Sequence, residues 1–117
     1  MDFDTSINSK QEFVISLGGR LDANTAKDLN FVLSKSLDCG YTNILIDCAN
    51  LREISSAGLN FLLANHNKFC EFNGSLSLKN APYELEKIIL KENASSIIYG
   101  KNQINNQIVE TKSIFKN

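Results

Sequence analysis

Ser55 and Ser56 stand side by side where a strand-like run with a polar turn gives way to an apolar helical repeat. Hydroxyls at such a junction lie at a helix N-terminus, where unpaired backbone N–H groups and the positive end of the helix dipole favour an anion. A phosphate on one of them would be tolerated by the fold and would alter the surface electrostatically. The pattern points to a switchable binding surface more than to a catalytic one. Capping is the plainer use of serine at such a place, and locally it suits both residues.

The other chemically capable residues form no constellation. His66 is the only histidine; it falls within an apolar helical stripe with no acid and nucleophile pattern around it, which predicts a packed side chain and not a general base. Gly18-Gly19 has neither of the glycine spacings of nucleotide-phosphate loops. Cys39, Cys48 and Cys70 are widely spaced and contain no C-x-x-C pair, so neither a zinc site nor a disulfide framework is expected. The pairs Asp2/Asp4 and Glu84/Glu86 read as solvated charges. Nothing in the pattern requires a metal or a cofactor, and no enzyme activity is expected.

Composition narrows the class further. A net charge of −1 with scattered lysines argues against nucleic-acid binding, which needs a basic stripe. The apolar runs are too short to span a membrane. The acidic start Met1-Asp2-Phe3-Asp4 lacks the features of a signal peptide. With the cysteine usage, these readings predict a cytoplasmic protein. At 117 residues, 43% of them apolar, the chain is expected to form a single domain over 1–117 around one core.

The elements that must position the serines follow from periodicity. Phe3, Thr5 and Ile7, then Phe13, Ile15 and Leu17, alternate with polar residues across Asn8-Ser9-Lys10, predicting a hairpin whose second strand ends at Gly18-Gly19. Asp22 or Asn24 can cap a helix over 24–37, with Gly40 just past its end. Ile44-Leu45-Ile46-Asp47-Cys48 suits a central strand covered on both faces. Leu59, Leu62, Leu63, His66, Phe69 and Cys70 form the buried stripe of a helix over 57–70. Asn73-Gly74 is a turn and Ser75–Leu78 a strand; Pro82 is expected as the first helical residue before Leu85, Ile88, Ile89 and Leu90. Ser96–Tyr99 reads as a last strand, and Ile104, Ile108, Thr111 and Phe115 as one face of a docked terminal helix. The expected fold is α/β: a mostly parallel sheet of four to five strands, an antiparallel edge hairpin at the N-terminus, and about four helices.

With that order, the chain resembles the STAS domain family of sulfate transporters and anti-sigma factor antagonists over roughly residues 3–115. Gly19-Arg20-Leu21-Asp22-Ala23-Asn24-Thr25-Ala26 is similar to the family's Gly-x-Leu-Asp segment. Ile54-Ser55-Ser56-Ala57-Gly58-Leu59 is similar to its Asp-Ser-(Ser or Thr)-Gly-Leu turn. The small size looks like a free-standing bacterial antagonist. Aligning on Gly58-Leu59 places Ser56 at the family's phosphorylated serine, with Ser55 where aspartate is usual and Ala57 in place of the second hydroxyl residue.

The resemblance implies partner switching. Its expected partner is an anti-sigma factor that is also a serine kinase of the histidine-kinase-like ATPase type, with a serine phosphatase to reverse the mark. Ser56 is the expected phosphorylation site and Ser55 the second choice. Partner contact is expected at Asp22, Ser55, Ser56, Ala57 and Gly58. A helical projection puts Asn60, Phe61, Ala64, Asn67 and Lys68 on the solvent side, and of these Asn60, Phe61 and Ala64 are further expected contacts, Phe61 being equally a core residue at the stripe's margin. Asp22 should stand near Ser56, because loops gather at the carboxyl ends of parallel strands. The same domain could instead serve as a subunit docked to a lipid-transport ATPase or as a piece of a larger signalling assembly.

Overall fold

The structure is a computed structural model and describes residues 2–99. Its elements run β1 (Asp2–Ile7), β2 (Phe13–Leu21), α1 (Ala23–Asp38), β3 (Asn43–Ile54), α2 (Ser56–Glu71), β4 (Ser75–Lys79), α3 (Tyr83–Lys91) and a 3-10 turn (Ser95–Ile97). The strands form one sheet in the order β1-β2-β3-β4. β1 lies antiparallel to β2, and β2–β3 and β3–β4 are parallel. The expected α/β architecture is thus present, with an edge hairpin and four strands.

The sheet advances in one direction through successive crossovers, and right-handed connections then place the intervening helices on one face. The burial agrees. Ile15, Leu17 and Leu21 of β2, Ile44, Ile46 and Cys48 of β3, and Leu76 and Leu78 of β4 join one core with Leu29 and Leu33 of α1, Leu62 and Phe69 of α2, and Leu85 and Ile89 of α3. Each such side chain contributes roughly 1.5–3 kcal/mol when fully buried. Cys48 packs here as a small hydrophobe; burial pushes its thiol up to about 12.

Several boundaries differ from those the sequence suggests. Gly18-Gly19 does not end β2. The strand bulges there, with register shifts at Ser16/Gly18 and Gly19/Arg20, and continues to Leu21. Gly19 takes φ 92, a conformation that glycine adopts without strain. β3 likewise runs on past Cys48 to Ile54, so the polar stretch 49–53 is paired strand and not a turn. Bulges break the alternation of side chains, which is why the pattern looked finished.

Cys70 is exposed and lies off the buried face of α2, while Asn65 takes a buried place there, its Nδ2 donating to the Phe61 carbonyl at 2.9 Å. Pro82 is the N-cap of α3, one position before the first helical residue. Ser96–Tyr99 is not a strand: Ser95–Ile97 forms a 3-10 turn, and a single parallel bridge joins Ile98 to Leu78. The terminal helix expected from Ile104, Ile108, Thr111 and Phe115 lies outside the described residues.

Candidate functional site

The two serines divide the work of the β3–α2 junction. Ser55 is the N-cap: its Oγ accepts from the Gly58 N–H at 3.1 Å, and its carbonyl accepts from the Leu59 N–H at 2.9 Å. Its own N–H donates to the Leu21 carbonyl at 2.9 Å, tying the junction to the end of β2. Ser56 is the first residue of α2 and its side chain is exposed. Among the described residues, the amides of Ser56 and Ala57 have no hydrogen-bond acceptor. The first turn of α2 carries no acidic residue. The Ser56 hydroxyl therefore emerges where a positive dipole end and free N–H groups favour negative charge.

Gly58 explains how the junction can lie so close to β2. A Cβ at this position would collide with the Leu21 carbonyl oxygen, so only glycine permits the approach. Gly58 is buried and acts through this contact, while Ser56, Ala57, Asn60 and Ala64 are exposed. Asn67 and Lys68 are exposed too. Phe61 is half-buried and packs at the core margin, so it offers an edge to the surface and not a free ring.

Parallel pairing brings Asp22 to the same end of the sheet. Leu21 pairs with Ile54, so Asp22 and Ser55 leave neighbouring strands in register. Asp22 caps α1, its Oδ1 accepting from the N–H groups of Asn24 and Thr25 at 3.0 Å each. The Thr25 hydroxyl completes the capping box by accepting from the Asp22 N–H at 2.9 Å. The Thr25 amide, with its hydroxyl, the Asn24 amide and Arg20, holds the carboxyl below the ordinary aspartate range. Asn24, the other cap candidate, supplies a donor and not the cap.

Arg20 was not anticipated as part of the site. Its Nε lies 3.3 Å from Asp22 Oδ2 and its Nη1 3.7 Å from Glu53 Oε1. The guanidinium thus bridges the ends of β2 and β3 beside the serines. Only the register Arg20↔Glu53, created by the bulge, reveals this; no spacing in the sequence does. His66 stands apart, its Nδ1 2.8 Å from the Leu76 carbonyl and its Nε2 3.2 Å from Ser96 Oγ. Both ring nitrogens are engaged in holding α2 to β4 and the 3-10 turn, a packing role. No group of histidine, cysteine or carboxylate side chains suited to a metal occurs among the described residues.

Solved structures share this architecture. The anti-sigma factor antagonist SpoIIAA in its unphosphorylated form aligns with a TM-score of 0.65 at 21% identity, covering 76% of this chain and 82% of that one. The Bacillus cell fate determinant SpoIIAA in the phosphorylated form aligns at 0.69 and 17%, covering 90% and 98%. The protein TM1081, solved by NMR, aligns at 0.71 and 17%, covering 96% and 91%. At these identities the likeness concerns the fold. No curated protein matches the chain. The profile of the family described as "Mlab, STAS domain" matches residues 7–95, from the β1–β2 hairpin to the start of the 3-10 turn and across both serine and aspartate junctions; the chain belongs to the STAS domain family.

Proposed function

We propose that this protein is an anti-sigma factor antagonist. In this reading it docks through the Ser56 surface onto an anti-sigma factor that is also a serine kinase, and phosphorylation of Ser56 releases it. The observation that carries the reading is the position of Ser56: exposed at the first helical position, above two free amides, with the capping duty taken by Ser55. A phosphate there adds about −1.5 to −2 charges at neutral pH. In the free protein the helix dipole and the amides stabilise it. In a closely packed interface the same charge must be desolvated or must meet a like charge. A penalty on the order of 2–4 kcal/mol weakens binding about 30- to 1,000-fold, enough for a switch.

The contact surface in this reading comprises Asp22, Ser55, Ser56 and Ala57, with Asn60, the edge of Phe61 and Ala64 along α2, while Gly58 sets the approach. A serine phosphatase resets the site. The protein acts by binding and not by turnover, in the cytoplasm. Among the described residues no helix is long and apolar enough to cross a membrane.

The test is a pull-down with paired variants. Ser56→Asp keeps the fold, with a thermal midpoint within a few degrees of the parent, and loses an ATPase-fold kinase partner; Ser56→Ala retains it constitutively. Equal capture by both variants would end the switch reading. A second reading, a subunit docked to a lipid-transport ATPase, is favoured by Ser55, which stands where a phosphorylated antagonist usually has aspartate. Recovery of an ABC-type ATPase by both variants alike would select it.

A further inference from the structure

β3 outruns one of its two neighbours. Its pairing with β4 ends at Asp47↔Lys79, while its pairing with β2 continues to Leu21↔Ile54. Asn80 is where β4 leaves: at φ 56 it turns the chain off the sheet, and its Nδ2 donates to Asp47 Oδ1 at 3.1 Å. Over residues 48–54 the edge of β3 turned away from β2 therefore has no strand beside it among the described residues. Such an edge presents N–H and C=O groups with which a further strand can pair. Ile54 supplies one such pair. The Ser55 N–H donates to the Leu21 carbonyl, so the residue before it turns its own N–H and C=O to the open side.

An apolar notch runs along the same edge. Its volume is about 170 Å³, with Leu51 and Ile54 of β3 on one side and Pro82, Leu85 and Ile88 at the start of α3 on the other. Sites for small-molecule ligands usually begin at about 300 Å³. This one suits a single aliphatic side chain. The open edge and the notch coincide at Ile54, and Ile54 directly precedes Ser55, the N-cap beside Ser56. A protein lying on the Ser56 surface is thus already at the edge.

We propose that the partner of the Ser56 surface adds an extended segment to the open edge of β3, pairing with the backbone of Ile54 and seating one aliphatic side chain in the notch between Ile54 and Ile88. The identity of that partner, an anti-sigma factor that is also a kinase, rests on the function proposed above. The shape of the contact rests on the edge and the notch. In strand addition, main-chain hydrogen bonds supply affinity and a side-chain pocket supplies specificity.

The test is calorimetry of the full chain with the kinase that the Ser56 pull-down recovers, together with amide exchange followed by NMR. Ile88→Asp puts a charge in the notch and weakens binding about tenfold or more. Leu90→Asp, at a similarly exposed apolar position of α3 that does not line the notch (45% against 41%), leaves the affinity unchanged. Both variants keep thermal midpoints within a few degrees of the parent. The Ile54 amide exchanges freely in the isolated protein and several-fold more slowly with the kinase bound. Equal affinities of the two variants, or an Ile54 amide that the kinase does not slow, overturn the proposal. Slow exchange in the isolated protein also overturns it, assigning the edge to a second copy where the slowing grows with concentration and to this chain itself where it does not. Loss of the kinase by Ser56→Asp but not by Ile88→Asp ends strand docking and leaves the switch standing. Equal binding by Ser56→Asp and Ser56→Ala, with weak binding by Ile88→Asp, does the reverse. Recovery of no kinase ends both.

Discussion

At the residue scale the division between Ser55 and Ser56 decides what each can do. Ser55 Oγ is engaged by the Gly58 amide and its backbone by Leu21, so modifying it would break a cap. Ser56 makes no such commitment and is the residue whose charge can change cheaply. Asp22 has the opposite character: its carboxylate is engaged by two amides and by Arg20, and its pKa is depressed, first by the Thr25 amide. A depressed folded-state pKa contributes stability that is fully present above the unfolded value, about 3.9, and is lost as pH falls through the folded one. Asp22→Ala is therefore less stable than the parent at neutral pH. Thermal melts from pH 7 to pH 2 should show the gap constant down to about pH 4 and closing below it; a gap unchanged to pH 2 would remove the ionised cap from the account.

At the element scale, β2 and β3 carry the junctions into place. Their parallel pairing through Leu21↔Ile54 sets Asp22 beside Ser55, and Gly58 lets α2 start against β2. His66 serves the other end of the same helix. His66→Ala should lower the thermal midpoint and speed amide exchange at Ile97–Tyr99, which the Leu76–His66–Ser96 connection holds. The proposed kinase-dependent phosphorylation of Ser56 should be untouched; its loss would mean that His66 reaches the site. Much of this layout was legible. Periodicity marked both long helices, and the serine pair and Asp22 marked their starts. The strand ends were not legible, because the bulges at Ser16/Gly18 and Gly19/Arg20 interrupt the alternation on which strand reading depends. Arg20 was missed for the same reason, as its partner Glu53 is chosen by that shifted register. Ser96–Tyr99 misled because Ile97 and Ile98 are both buried, which a 3-10 turn against β4 achieves as well as a strand would.

At the scale of the whole molecule, the fold sets the serine–aspartate edge apart from the core. The serine–aspartate edge sits at the carboxyl ends of the parallel strands, while the core beneath is apolar down to Cys48. In the proposed reading, a change of charge at Ser56 alters what the surface can meet without reaching the apolar packing beneath it. The most direct measurement is calorimetric: the affinity of the unmodified protein and of the protein phosphorylated singly at Ser56 for the same kinase partner, with thermal midpoints of both forms. The account predicts a loss of about 30- to 1,000-fold in affinity with midpoints within a few degrees. Equal affinities, or a phosphate found on Ser55 and never on Ser56, would contradict it.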